Sequence, residues 1–285
     1  MTADFFVGIG AAKSGTSWVA EYLREHPDVA MSPIKELHYF DARFCPQLCG
    51  HWDRDWQTIR SELTARAEAQ PESDLLEKLR CVTLRLEMIS DETRYRQYFE
   101  SILGAQHRAF GEITPSYSLL PAEGFLAIQK LYPNAKFIFL MRDPLERYLS
   151  HIRFIQKIRS VQGKDPDEDF DANSEALAKL SNPGFAKRAD YQGTIETLLS
   201  TTSENQLCIL FYEHLFHKTQ SHLELRRLCD FLCIEFKPAQ IDTKVNASDK
   251  MLFDEGVRRE IRSHFSPIYD YVYQKYGDRV PSSWQ

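Results

Sequence analysis

The chain has 285 residues, 43% hydrophobic and 27% charged, which is the profile of one large globular domain or one domain with an elaboration. A net charge of −6 argues against a general nucleic-acid binder, which needs a basic face, yet it leaves room for a local anion site made by a few donors. No stretch approaches the roughly 20 apolar residues of a bilayer span, no basic-then-apolar leader is evident, and the six cysteines fit neither zinc nor C-x-x-C spacing, so the expectation is a cytoplasmic, reducing location with buried free thiols.

Residues 5–10 are an apolar run of β-formers, read as a buried strand. A small-residue turn containing Lys13 and Gly15 follows, and Val19, Tyr22 and Leu23 then recur at helical spacing. Strand, small turn and helix aim backbone N–H groups and a helix N-terminus at a phosphate; Lys13 adds a point charge, and Thr16 and Ser17 add hydroxyls. Gly10 and Gly15 have the spacing of the nucleoside-triphosphate loop G-x-x-x-x-G-K-[ST], but Thr16 stands where its lysine belongs. A magnesium nucleoside triphosphate therefore fits poorly, and a phosphate-like group gripped by a differently placed cation fits better. The alternative is a plain strand-to-helix turn with small residues for close packing.

The stretch Lys13-Ser14-Gly15-Thr16-Ser17-Trp18 resembles the 5′-phosphosulfate-binding loop of sulfotransferases that use 3′-phosphoadenosine 5′-phosphosulfate. That resemblance implies that all six residues bind the donor, with Trp18 against its adenine. Further on, His26-Pro27-Asp28 ends the first helix, and residues 29–31 read as a short strand. In the next segment Ser32 is a candidate cap and Pro33 a first helical residue. Glu36, His38 and Asp41 then bring three titratable groups into six positions among bulky apolar neighbours. Apolar surroundings desolvate a carboxylate and raise its pKa, which suits a general base; a capping or solvated glutamate is the alternative. Lys35-Glu36-Leu37-His38-Tyr39-Phe40-Asp41 resembles the K-E-x-H-[FY]-F-D segment of heparan-sulfate and related sulfotransferases. The likeness implies that Glu36 deprotonates the acceptor while His38 and Asp41 support it.

Residues 53–66, 74–88 and 91–103 have helix-compatible spacing and are read as helices covering the sheet or forming an acceptor-side lid within an insertion at about 42–105. His51, Trp52 and Trp56 are pocket candidates, with packing as the commoner role. Residues 108–113 read as a strand entering a turn at Pro115. The segment resembles the family's E-x-[ST]-P-x-Y motif, making Glu112, Thr114 and Tyr117 second-rank candidates. The cytosolic branch places a catalytic histidine near here where this chain has Thr114, which favours Glu36 as the base.

A helix over 121–132 precedes the continuous apolar run 136–141, the mark of a strand buried on both faces. Arg142-Asp143-Pro144 follows, with Asp143 as N-cap and Pro144 in the first turn of a helix. Ligands of open α/β sheets bind outside the carboxyl ends of strands, so Arg142 and Ser150 form a second anion site on the edge that carries Lys13. Simple helix capping is the alternative for this tripeptide alone. Arg142-Asp143-Pro144-x-Glu146-Arg147-x-x-Ser150 closely resembles the family's 3′-phosphate motif, in which the arginine and serine hold the nucleotide's 3′-phosphate.

The acidic run at 165–169 reads as a solvated loop, since EF-hand spacing is missing. Residues 185–199 read as one helix carrying Tyr191, which by the resemblance lies near the nucleotide. The run 206–211 is another buried strand, ending in a Y-E-x-L turn read as structural, and 219–233 is a helix. The family's cytosolic R-K-G loop is absent; residues 244–248 and Lys250 are the nearest polar segment, with no role assigned. Residues 254–276 read as a closing helix with an interruption before Pro267.

The sequence thus points to a single α/β domain over 1–285, three-layered with a mostly parallel central sheet and P-loop-kinase-like in topology. The resemblance implies transfer of a sulfuryl group from 3′-phosphoadenosine 5′-phosphosulfate to a hydroxyl or amine of a small-molecule or glycan acceptor. It also implies release of 3′,5′-adenosine bisphosphate, with no metal, no nucleic-acid partner and no membrane span. Lys13 stabilises the charge that develops on the sulfuryl group and on the departing phosphate. Two other readings stay open, a nucleoside-triphosphate-dependent kinase and a non-catalytic nucleotide-binding module; acceptor identity and oligomeric state are not legible.

Overall fold

Five short runs of β-branched, aromatic and small residues pair side by side in the structure, a computed structural model that describes residues 3–49, 52–88, 91–161, 171–239 and 252–285. They are β1 (Asp4–Gly10), β2 (Val29–Met31), β3 (Ala109–Ile113), β4 (Lys136–Met141) and β5 (Leu207–Phe211), all parallel, in the order β2-β3-β1-β4-β5. Alternate residues go to opposite faces, as the period of two requires. Phe5, Val7 and Ile9 join Phe137, Phe139 and Met141 in one core, while Phe6, Ile138 and Leu140 join a second.

The helices sort onto those faces. α1 (Thr16–Arg24) covers the second core together with a later helix. The short α2 (Phe40–Phe44) and α3 (Pro46–Cys49) lead into three longer helices, α4 (Trp52–Ala69), α5 (Ser73–Glu87) and α6 (Glu92–Glu100). On the first core lie α7 (Ala122–Leu131) and α8 (Pro144–Val161), then α9 (Ala172–Ala178), α10 (Pro183–Ala189) and α11 (Tyr191–Leu199). After β5 come α12 (Tyr212–Leu215) and α13 (Ser221–Leu232), the partner of α1, and the chain closes with α14 (Glu255–His264) and α15 (Ser266–Tyr276). The result is the expected three-layer α/β arrangement with a parallel sheet. α1 follows β1 on one face and α8 follows β4 on the other, so the crevice between the carboxyl ends of these adjacent strands is the switch point where ligands of such sheets bind.

Two local expectations are corrected and a third is met. Pro33 does not open a helix: residues 32–39 form a loop, because Glu36 and His38 take left-handed backbone angles (φ 61° and 51°) that no α-helix continues. The span 185–199 is two helices, since the Asp190 carboxylate turns to accept the Gly193 amide at 2.7 Å and so caps α11. The interruption expected before Pro267 is found at Phe265, because Pro267 lacks the amide a continuous helix would need. The acidic run at 165–169, the segment 244–248, Lys250 and His51 lie outside the described residues.

Candidate active site

The turn after β1 is shaped by two residues with positive φ, Lys13 at 72° and Gly15 at 85°. Gly15 occupies the N-cap of α1, where no side chain caps the helix and no acidic residue sits in the first turn. The first amides of α1 and the positive end of its dipole are therefore free to serve an anion. Arg142 leaves β4 beside this turn and donates from Nη1 to the Lys13 carbonyl at 3.1 Å, joining the two motifs directly. The guanidinium lies 4.5 Å from the centre of the Tyr212 ring. Its Nε is buried without a hydrogen-bond partner. Tyr191 locks the strand end, donating to the Arg142 carbonyl at 2.7 Å and accepting its amide at 3.3 Å. Asp143 caps α8 by accepting the Glu146 amide at 3.1 Å, and Glu213 of the Y-E-x-L turn accepts the Asp143 amide at 2.9 Å.

The Lys13 ammonium lies 3.8 Å from the centre of the Phe154 ring. Partial burial, with Lys35, Arg142 and Lys157 nearby, lowers its pKa to about 8, against a smaller opposing pull from Glu36. Cations crowded together and partly desolvated are costly unless an anion joins them. α8 also carries Arg147, wholly buried, whose three guanidinium nitrogens have no hydrogen-bond partner. The orphaned Arg142 and Arg147 nitrogens and the open N-terminus of α1 fit a doubly anionic nucleotide.

Opposite stands the loop 32–39. Lys35 donates to Glu36 Oε1 at 2.6 Å, and His38 Nε2 lies 3.5 Å from Glu36 Oε2. His38 Nδ1 meets Asp41 Oδ2 at 2.7 Å, and the Ser116 hydroxyl donates to that same Asp41 oxygen. The order is Lys35, Glu36, His38, Asp41, with charge alternating along it. Burial alone would raise the Glu36 pKa, but the bonds from His38 and Lys35 hold it down at about 2. This corrects the expectation of a raised carboxylate. Burial likewise pulls His38 down, and the two carboxylates more than reverse it, to about 9. His38 is therefore an imidazolium and Glu36 a carboxylate at neutral pH.

The sequence-derived candidates among the described residues differ in exposure. Lys13, Gly15 and Ser17 are partly open, and Ser14, Thr16 and Ser150 are buried. Trp18 is 6% exposed, its ring 5.4 Å from Phe216 edge-on and 5.8 Å from Tyr22, so it packs in the core under α1. Glu112 is fully buried and accepts from Tyr95, Tyr117 and Thr114. Trp56 also belongs to the core and lies beside Arg85, its ring centre 5.8 Å from the guanidinium carbon. Sequence reasoning missed Arg85 of α5, which is buried and donates to the carbonyls of Leu37 (through Nε) and His38 (through Nη2, 2.9 Å). No motif marks Arg85; its only signal is a charge on the buried side of an amphipathic helix.

Comparison with known proteins bears on the family and the fold. The model of the sulfotransferase family matches residues 5–238. A membrane-associated sulfotransferase of Dictyostelium discoideum is 27% identical over 150 residues, which are 52% of this chain but only 22% of that protein. The crystal structure of a sulfotransferase from Alicyclobacillus acidocaldarius shares the fold with a TM-score of 0.62 at 22% identity, covering 100% of this chain and 99% of the other.

Proposed function

The chain belongs to the sulfotransferase family, and on that premise we propose that it moves a sulfuryl group from 3′-phosphoadenosine 5′-phosphosulfate to a hydroxyl or amine of a small-molecule or glycan acceptor. The donor brings an activated sulfuryl group on a phosphate leaving group. Lys13 and the α1 amides face the charge that grows on the sulfuryl oxygens and the departing phosphate. Thr16, Ser17 and Ser14 line the same end, while Arg142 and Ser150 take the 3′-phosphate, with Tyr191 holding the Arg142 backbone. Trp18 supports the adenine side through the packing of α1. Glu36 accepts the acceptor's proton as the new S–O bond forms. A carboxylate held at about 2 is a weak base, but the attacking hydroxyl becomes strongly acidic as its oxygen bonds to sulfur, so transfer late along the coordinate suffices. His38 and Asp41 hold Glu36 in place and keep it ionised.

The observation that carries this reading is the 3.1 Å bond from Arg142 to the Lys13 carbonyl. It brings the two anion-binding motifs within the span of one nucleotide that is charged at both ends. Glu36 also acts on Lys13 electrostatically, which supports a base close to the transferred group. The sequence mixes a cytosolic-type donor loop with a base segment of heparan-sulfate type. We read the chain as one sulfotransferase domain, with α4–α6 as an acceptor-side cover. Among the described residues no helix is long and apolar enough to cross a membrane; a cytoplasmic location remains part of this proposal.

Titration calorimetry with 3′,5′-adenosine bisphosphate, set against ATP with magnesium, tests it. Micromolar or tighter binding of the bisphosphate with no measurable ATP binding is the expected result. The reverse preference would favour a kinase. Bisphosphate binding without any sulfated product, across an acceptor screen using labelled donor, would leave a non-catalytic nucleotide-binding module.

A further inference from the structure

The loop that carries Glu36 and His38 holds two non-glycine residues in left-handed backbone conformation, with a single residue between them. Such angles persist only where the surroundings over-determine them. Here four successive backbone groups are held by two side chains. The carbonyls of Leu37 and His38 both accept from the Arg85 guanidinium, which is 1% exposed. The amides of Tyr39 and Phe40 both point to the Tyr117 oxygen, at 3.1 and 3.4 Å. Tyr117 in turn donates at 3.0 Å to Glu112 Oε1, which also receives the Tyr95 hydroxyl at 2.6 Å. A cation on the carbonyls and a carboxylate-anchored hydroxyl on the amides act as the two jaws of a clamp.

We infer that Arg85 is a positioning residue for the reaction: from α5 it fixes the base-bearing loop, with Tyr117 as the opposing jaw, so that Glu36 and His38 keep their hydrogen-bonded order. The inference rests on the reading of Glu36 as the base. The helical cover is then more than a lid over the acceptor, because its second helix supplies the group that shapes the base loop. A planar guanidinium sets its donors apart on one rigid fork that spans the two neighbouring carbonyls, whereas a lysine ammonium gathers its three donors on one nitrogen at the end of a shorter, flexible stem and does not hold that spacing.

The test pairs R85K with Y117F, each removing one jaw, and reads three quantities. The first is the titration midpoint of His38, followed by NMR on histidine-labelled protein. Its ring faces the Glu36 and Asp41 carboxylates and the Ser116 hydroxyl, with Lys35 on the other Glu36 oxygen, Arg85 on its own carbonyl and Glu112 behind Asp41. The second is sulfate released from labelled 3′-phosphoadenosine 5′-phosphosulfate with water as acceptor. The third is affinity for 3′,5′-adenosine bisphosphate. In each folded variant the midpoint is expected to fall by about one unit as the carboxylate contacts loosen. Release should drop about tenfold, as a small misplacement of a catalytic group produces, while bisphosphate affinity stays within about twofold. An unmoved His38 midpoint in both variants overturns the inference, and so does a loss of affinity that parallels the loss of release. E36Q separates the premise: undiminished release there removes Glu36 as base, while the His38 shift in R85K still decides whether the clamp exists.

Discussion

On the Lys13–Arg142 side of the crevice, Lys13 and Arg142 each follow a strand within a few residues, and the proposed grip is made largely of backbone: a turn, the first amides of α1 and the end of β4. On the Glu36–Asp41 side, the loop follows β2 but takes its shape from elsewhere. Arg85 comes from α5, Ser116 and Tyr117 from the turn after β3, and Glu112 from β3 itself. The charges differ as well. The first side gathers cations around Lys13, whereas the second alternates sign from Lys35 to Asp41. A backbone-built anion site tolerates change around it, since every residue type supplies an amide. A site borrowed from distant side chains is sensitive to substitutions that never touch a ligand.

Glu36→Gln probes the second side and carries the largest expected effect. Turnover should fall by about 10²–10⁴-fold with nucleotide affinity nearly intact; near-normal turnover would end its role as base. The pH dependence sharpens the point. Glu36 lies below its free value, at about 2, so its stabilising contribution is complete above pH 4.5 and fades as pH falls toward 2. His38 lies above its free value of 6.5, at about 9, so its contribution is complete below pH 6.5 and is lost as pH rises through 9. Thermal melts should therefore decline between pH 6.5 and 9, and that decline should shrink in His38→Gln. An unchanged slope would mean that the alternating chain does not govern the loop's stability.

Lys13→Ala strikes the first side, with an expected loss in kcat of about 10²–10³-fold, the size seen when one donor to a developing negative charge is removed. Because Lys13 is held at about 8, an incoming anion should raise it and draw in a proton. Calorimetry at pH 8.5 in buffers of different ionisation enthalpy should then show proton uptake on binding 3′,5′-adenosine bisphosphate, and the uptake should vanish in Lys13→Ala. Arg142→Ala should act differently again. Losing a charge-assisted contact worth about 1.5–3 kcal/mol weakens bisphosphate binding roughly 10–100-fold, with kcat at saturating donor little changed. An unmoved dissociation constant would break the equivalence drawn between the two motifs.

The same contrast explains what the sequence disclosed. β1, β4 and β5 are continuous apolar runs and were legible as buried parallel strands; Arg142-Asp143-Pro144 announced both a strand end and a helix start. Those signals are local, because strand period and capping are local physics. Ser32 and Pro33 carry the signature of a helix start, yet residues 32–39 form a loop. Its true shape depends on Arg85 and Tyr117, tens of residues away, which periodicity does not reach. The Glu36 pKa differs from its sequence expectation for the same reason: apolar neighbours are visible in the sequence, and the hydrogen bond from His38 is not. Arg147 lay inside a recognised motif, yet nothing in the sequence told that its guanidinium would be buried without partners.

Gly15→Ala is the mildest probe and tests the backbone-built side on its own terms. Gly15 sits at φ 85°, and a Cβ placed there would lie 2.9 Å from Phe216 Cε2 and 3.0 Å from Tyr212 Cδ2. The left-handed angle alone costs a non-glycine residue roughly 1–2 kcal/mol, which lowers the melting temperature of a chain this size by about 2–6 °C. The push on Tyr212 matters more for function, because that ring lies under the Arg142 guanidinium at 4.5 Å. Bisphosphate affinity should then drop a further few-fold, through a displaced Arg142 and a distorted N-terminus of α1, with no change in the His38 titration. A melt that shifts while affinity holds would mean that the α1 amides contribute little, and that Lys13 and Arg142 grip the anion by side-chain charge alone.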